Sequence, residues 1–168
     1  RQVLSIESNF EEIIAVDSWI EHLHNLSLDP NTLIGDLDSI SKKSLDEVKK
    51  NGVKILAFNS NKDQTDFELA LNYLEETEES KVYIIGGESG EIDHLISIFL
   101  LIPSKSFFEN IIWLYGDKKI IFRQKLELNI KKLTKFSVIP LTDLTNLSID
   151  GAEWNLDNKD IQFGETLT

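Results

Sequence analysis

Four short apolar runs in this chain each lead into a polar or glycine-rich loop with an aspartate in it or shortly after it, and a segment with helical periodicity follows each. Ile13 to Val16 ends at Asp17. Leu33-Ile34 leads into Gly35-Asp36-Leu37-Asp38-Ser39-Ile40. Val53 to Phe58 is followed by the polar stretch Asn59 to Gln64, and Lys81 to Ile85 by Gly86-Gly87-Glu88-Ser89-Gly90. The intervening helices have their own start and stop signals. Ser18 and Glu21 have capping-box spacing, with Trp19, Ile20, Leu23 and Leu26 on one face. Ser44 and Glu47 form a second box, stopped by Asn51-Gly52. Thr65 and Glu68 open a third helix with Phe67, Ala70, Leu71 and Leu74 inward, and a fourth is expected to turn Ile92, Leu95, Ile96 and Phe99 inward. Strand, loop and helix repeated in this way read as a parallel α/β sheet. Ligands of such sheets bind outside the carboxyl ends of the strands.

After Pro103 the texture changes. Ile111 to Tyr115, Lys119 to Arg123, Leu126 to Ile130 and Phe136 to Leu141 read as strands, and Gly116-Asp117, Asp150-Gly151 and Asp157-Asn158 as turns. No amphipathic helix is evident there. The expected fold class is α/β: an N-terminal parallel-sheet domain over residues 1–115, then a small antiparallel β-sandwich over residues 116–168. Ile111 to Tyr115 stays with the first sheet.

Composition narrows the function. The formal net charge of −12 repels nucleic-acid backbones, so DNA and RNA are not expected partners. Absence of cysteine excludes disulfides, thiolate metal sites and a cysteine nucleophile, and fits a cytoplasmic protein. The longest apolar run, Leu95 to Ile102, is interrupted by Ser97 and stopped by Pro103, far short of the ~20 residues that span a bilayer. The start, Arg1-Gln2-Val3, does not read as a signal peptide. No methionine occurs, so the sequence is expected to be incomplete at its start or internally. Short motifs therefore carry more weight than long separations.

The acids are placed for chemistry. In one parallel sheet, Asp17, Asp36, Asp38, Asp63, Asp66 and Asp93 would share one rim. Crowded carboxylates raise each other's pKa unless a cation neutralises them. All-oxygen ligation suits Mg²⁺, which takes one or two carboxylates and leaves its other positions to water and phosphate. Each Asp alone is better explained as a turn or cap residue, and it is the set on one rim that points to a metal. Asp36-Leu37-Asp38 would aim two carboxylates one way if the loop is extended, a pattern that phosphatases and glycosyltransferases also use. Gly86 to Gly90 could present backbone N–H groups to phosphate, or be a plain turn; it lacks the Gly-Lys-Ser/Thr ending of a P-loop. Lys62 could neutralise a phosphate oxygen, or be a solvated loop lysine. His22 and His24 lie about 200° apart around a helix, cannot chelate together, and read as surface residues. His94 adjoins Asp93 at the rim, where it would bind ligand or help cap the helix.

Three blocks together resemble thiamine pyrophosphokinases: Gly35 to Ile40, Lys62-Asp63-Gln64-Thr65-Asp66-Phe67-Glu68-Leu69-Ala70-Leu71, and Gly86-Gly87-Glu88-Ser89-Gly90-Glu91-Ile92-Asp93-His94. Ser137 to Thr142 and Gly151 to Leu156 are similar to that family's β domain. The resemblance implies an ATP- and Mg-binding catalytic α/β domain, a thiamine-binding β-sandwich, and a homodimer with thiamine where the subunits meet. It assigns Asp36, Asp38 and Asp66 to the magnesium site, with Asp93 among the catalytic acids. Asp17, Lys62, Asp63, Gln64, Thr65, Gly87 and Gly90 would serve ATP and its phosphates, and Asp93, His94 and Trp154 the thiamine. The chain departs from the family in three places: Ser18-Trp19 where the family has Gly-Gly after the first aspartate, Glu91 where its loop carries arginine, and no Ser-Asn element before Thr168. The glycine-rich N-terminal strand also has no counterpart.

The resemblance implies an ATP-dependent diphosphotransferase that moves the diphosphate of Mg-ATP to the hydroxyl of thiamine, giving thiamine diphosphate and AMP. The rivals are a degenerate relative that binds thiamine without turnover and a metal-dependent phosphatase of the Asp-x-Asp type. For Trp154 the packing alternative is a core position in the sandwich, since a large aromatic in a β stretch is more often buried than ligand-facing.

Overall fold

The computed structural model describes residues 10–23, 26–59, 63–77, 81–87, 91–127 and 129–165. Strand β1 (Ile14–Val16), helix α1 (Ile20–Leu23), strand β2 (Thr32–Gly35), helix α2 (Lys42–Lys50) and strand β3 (Lys54–Ala57) come first. Helix α3 (Asp66–Thr77), strand β4 (Val82–Ile85), helix α4 (Ile92–Leu101), strand β5 (Ile111–Tyr115) and strand β6 (Lys118–Ile121) follow. The hairpin of strands β7 (Leu144–Ile149) and β8 (Leu156–Ile161) completes the order. The chain divides into two compact units, Arg1–Lys125 and Leu126–Thr168.

In the first unit β1, β2 and β3 form a parallel sheet with β2 central. A central parallel strand is covered on both faces, so it reads as a continuous apolar run. Thr32, Leu33, Ile34 and Gly35 are all buried. Successive side chains point to opposite faces. Leu33 accordingly joins Ala15, Ile20, Leu23, Ile40 and Val48, the cluster of α1 and α2, while Ile34 joins Leu69 and Ala70 of α3. The buried Thr32 hydroxyl donates to Glu12 Oε1 at 2.5 Å, and the Tyr73 hydroxyl donates to the same oxygen at 3.0 Å.

The parallel run does not continue as one sheet among the described residues. β4 pairs with β5 in parallel, and β5 with β6 antiparallel, as a separate sheet. Lys118–Ile121, expected to open the second domain, thus belongs to the first unit. The cause is a tight turn: Tyr115 pairs directly with Lys118 across Gly116-Asp117. Gly116 has φ +60°, the conformation a two-residue hairpin loop of the primed types requires at its first central position. β5 is the core of this half, with Ile111 to Leu114 buried and the Trp113 ring 5.1 Å from Phe99 and 5.5 Å from Tyr115.

Several helix details differ from expectation. The cap of α2 is Ser41, whose hydroxyl accepts from the Ser44 N–H at 3.2 Å. The first helical stretch starts as a 3-10 turn, Asp17–Trp19, with no side-chain cap, and Leu26 is exposed. In α4, Ile92 and Ile96 are exposed, and Leu95 and Phe99 half-buried. This helix is apolar nearly all round, so periodicity could not choose its inner face. Thr65 behaves as expected, its hydroxyl accepting from the Glu68 N–H at 3.2 Å. His24 and the His22 side chain lie outside the described residues.

In the second unit β7 and β8 form one antiparallel hairpin. This is the only part of the expected sandwich among the described residues. The described residues of 126–130 and those of 136–141 form no strand, and Leu126, Ile130, Phe136 and Ile139 are exposed. Alternating apolar residues make a strand only where a neighbour completes the ladder and a face is covered. The lysines at 125, 131, 132 and 135 keep this segment hydrated instead.

Candidate functional site

The ends of β1 and β2 are pressed together by a missing side chain. A Cβ on Gly35 would stand 3.2 Å from the Asp17 Cα, so only glycine lets the two strand ends approach this closely without displacing backbone. Asp17 turns out of β1 with φ +49°, in the left-handed region that Asp tolerates better than most residues. Its Oδ1 accepts from the Ser39 hydroxyl at 2.5 Å. In the next loop Asp36 Oδ1 accepts from the Asp38 N–H at 3.2 Å, an Asx turn, and Leu37 takes φ +68°. The two carboxylates therefore converge through a turn, and not through the extended loop expected from the Asp-x-Asp spacing.

One oxygen from each of Asp17, Asp36 and Asp38 lies within 4.8 Å of the others. Crowding shows in the titration of Asp38, whose carboxyl is raised above its ordinary value of 3.8. The largest cause is its hydrogen bond with Asp36, followed by the Asp36 charge, loss of solvent, and the charges of Asp17 and Asp66. Three carboxylates gathered this closely, with Asp38 held above its ordinary value, are a donor set whose crowding a hard divalent cation would relieve. The residues fit Mg²⁺ on this ground.

A cavity of about 1010 Å³ opens beside this corner. Its rim carries Asp17, Asp36, Gln64, Thr65, Asp66, Gly86, Gly87 and His94, and it runs inward between β1 and β4, flanked by α3 and α4. Residues from all three motif blocks thus face one space. Asp63 and Asp93 do not line it. Asp93 is exposed, with its Oδ1 accepting from the His94 N–H at 2.9 Å, and Gln64 Nε2 donates to Glu68 Oε1 at 3.0 Å. Of the six acids expected on one rim, Asp17, Asp36 and Asp38 meet at the corner, Asp17, Asp36 and Asp66 line the cavity, and Asp63 and Asp93 stand outside both. The break between the two sheets accounts for part of this dispersal. Lys62 and Gly90 lie outside the described residues.

The opposite side of the rim is the turn Gly86-Gly87, with φ +105° and +89°. The Gly86 N–H donates to the Leu114 carbonyl at 3.4 Å, so it serves the backbone and not a phosphate. The Gly86 carbonyl accepts from Trp113 Nε1 at 2.8 Å. Sequence reasoning missed Trp113, because nothing local ties it to a loop 27 residues earlier. Ser39 stands in the first motif block, but its role depends on Asp17, 22 residues earlier in the chain. Trp154, in the second unit, is 76% exposed, which overturns its reading as a core residue: it follows Gly151, φ +77°, in the turn before β8.

No helix among the described residues is long and apolar enough to cross a membrane. The family model described as thiamin pyrophosphokinase, catalytic domain, matches residues 4–113, and that described as thiamin pyrophosphokinase, vitamin B1 binding domain, matches residues 123–168. A thiamine pyrophosphokinase of Bacillus subtilis (strain 168) is 29% identical over 160 residues, 92% of this chain and 74% of that protein. Crystal structures of a thiamin pyrophosphokinase family protein from Enterococcus faecalis and of thiamine pyrophosphokinase from Bacillus subtilis share the fold. Their TM-scores are 0.79 and 0.78, each at 24% identity and covering 95% of this chain and 78% of the other. The chain belongs to the thiamin pyrophosphokinase family.

Proposed function

We propose that the protein transfers the diphosphate of Mg-ATP to the hydroxyl of thiamine, giving thiamine diphosphate and AMP. The observation that carries the reading is the single cavity whose rim collects Asp17, Asp36, Thr65, Asp66, Gly87 and His94 from separate strand ends, in a chain matched by both family models. The thiamine hydroxyl oxygen bonds to the β-phosphorus as the bond from that phosphorus to the bridging oxygen of the α-phosphate breaks. AMP leaves with that oxygen. The hydroxyl proton passes to a carboxylate, for which Asp66 and Asp93 are candidates. Little covalent work falls to the protein, so its contribution is positioning and charge neutralisation. Asp36, Asp38 and Asp66 would hold Mg²⁺, with Asp17 beside them. Bound there, the ion would screen the phosphate oxygens. Gln64, Thr65, Asp63, Lys62, Gly87 and Gly90 would attend the nucleotide. His94, Asp93 and Trp154 would attend the thiamine, whose pyrimidine and charged thiazolium suit stacking on an indole. The enzyme is read as a cytoplasmic homodimer.

The test is to incubate the protein with ATP, Mg²⁺ and thiamine and to measure AMP and thiamine diphosphate together. Both are expected, in equal amounts, and neither without Mg²⁺. Inorganic phosphate without AMP would replace the reading with the phosphatase. Thiamine binding without product would replace it with the non-catalytic relative.

A further inference from the structure

Gly86 lies between two indoles, one from the turn after a strand of the first sheet and one from within the second sheet. Trp19 belongs to the turn that directly follows β1, and Trp113 to β5. A Cβ built on Gly86 would meet Trp19 Cη2 at 2.2 Å and Cζ2 and Cζ3 at 2.6 Å each, so the Trp19 ring already occupies the space of a side chain at 86. From the other direction the fully buried Trp113 donates its Nε1–H to the Gly86 carbonyl at 2.8 Å. A Cβ on Gly87 would meet Trp113 Cζ2 at 3.1 Å. Among the described residues the two sheets share no strand pairing, so this contact helps set how far apart their carboxyl ends stand at the cavity rim.

We infer that Trp19 is a positioning residue: its ring, seated on Gly86, fixes the glycine turn relative to the acid corner that begins two residues earlier at Asp17. Plain packing is the competing explanation, and two observations separate them. Trp19 is half-buried at the rim and lines the cavity, whereas the large side chains that only fill the core, such as Leu33 and Ile111, are fully buried. Its contact is also with a backbone held at φ +105°, where a flat rigid ring meets a surface with no side chain to yield. Van der Waals repulsion is steep, so such a contact sets a separation closely. Misplacement by about 1 Å at a reacting site costs on the order of 100-fold in rate.

The kinetic arm of this inference rests on the diphosphotransferase reading; the contact itself does not. The experiment is therefore a double-mutant cycle with Trp19→Ala and Gly86→Ala, read by melting temperature and by kinetics. The strain of alanine at φ +105° is common to both backgrounds and cancels in the cycle. Gly86→Ala is expected to harm the wild type more than it harms the Trp19→Ala variant. For turnover, Trp19→Ala should raise the KM for Mg-ATP by about 10-fold or more, while Mn²⁺ affinity at the acid corner stays within about twofold of wild type. Trp19→Phe, which keeps a flat ring over Gly86, should recover most of the loss. Unchanged KM in a folded Trp19→Ala variant overturns the inference, as do additive effects in the cycle or no recovery with Phe. If Trp19→Ala does not fold, Trp19→Leu takes its place under the same criteria. If the wild type forms no product, the diphosphotransferase reading fails, and the Mg-ATP dissociation constant replaces KM.

Discussion

The two loops that face each other across the cavity are held in opposite ways. The acid loop is fixed largely by near neighbours: Asp36 bonds the N–H of Asp38, Leu37 supplies the left-handed turn, and one longer contact, Ser39 to Asp17, ties it to β1. The glycine loop is fixed by groups from far along the chain, Trp113 through its Nε1–H and Trp19 through its ring. One loop carries charge and depends on its own sequence. The other, at Gly86-Gly87, carries no side chain and depends on the rest of the protein. Damage to the first should therefore appear in turnover alone, and damage to the second in stability as well as in kinetics, a division that mutation can break.

The largest effect is expected on the glycine side. Trp113→Ala empties a fully buried site against Phe99 and Tyr115 and leaves the Gly86 carbonyl without its donor. The expected cost is about 3–5 kcal/mol of stability, measured by denaturant unfolding. Trp113→Phe keeps most of the packing and loses mainly the hydrogen bond, so it should cost about 1–3 kcal/mol. A Trp113→Ala variant that melts like wild type while losing turnover would break the comparison.

On the acid side, Asp36→Asn and Asp38→Asn are each expected to slow AMP formation by about 100-fold or more, about 2.7 kcal/mol of barrier. Stability without metal should hold or rise slightly, because Asp38 already resists ionisation beside Asp36 and Asp17. Near-normal turnover in both variants would remove the proposed metal site.

The same contrast explains what the sequence could reveal. β1 to β3 and the Thr65 cap of α3 rest on short-range signals and stand where the sequence predicts them, whereas Asp36 and Asp38 meet through a turn at Leu37 instead of the extended loop their spacing suggests. The inner face of α4 was not legible, because Ile92, Leu95, Ile96 and Phe99 belong to a helix apolar on nearly every side. Nor was the separation into two sheets, since strand pairing is decided by contacts distant in sequence. The Trp113 bond to Gly86 is invisible for the same reason. In the second unit, Leu126–Ile130 shows alternation that no neighbouring strand among the described residues completes.

Trp154 sharpens the comparison from a third position. Because Trp154 is 76% exposed, Trp154→Ala should change stability by no more than about 0.5 kcal/mol. A role in stacking on the thiazolium predicts a thiamine KM raised by roughly 10-fold, with the ATP KM unchanged. Equal kinetics with both substrates would take Trp154 out of the acceptor site.

The smallest effect concerns two carboxylates perturbed in opposite senses. Glu75 on α3 accepts from the Ser106 N–H at 3.0 Å and the Ser106 hydroxyl at 2.8 Å, with Lys105 Nζ 3.6 Å away. These hydrogen bonds, then the lysine, hold its carboxyl below the ordinary 4.5. A depressed acid adds stability above its unfolded pKa, and that stability is lost as pH falls through the folded value. Asp38 is raised, so its contribution is present below its unfolded pKa near 3.8 and is lost as pH rises through the folded value. Both groups are open to solvent, so the effects are modest and salt-sensitive. Thermal melts of metal-free protein between about pH 3 and 7 should separate them. Glu75→Gln should lower the melting temperature at pH 7 and match wild type at the acid end. Asp38→Asn should match wild type at the acid end and melt slightly higher at pH 7. Adding Mg²⁺ should reverse the sign for Asp38 alone, because only there does a bound cation turn the crowded charge from a liability into a ligand. A Glu75 variant that responds to Mg²⁺ as Asp38 does would show that the cation acts on the whole acidic surface and not at the corner formed by Asp17, Asp36 and Asp38.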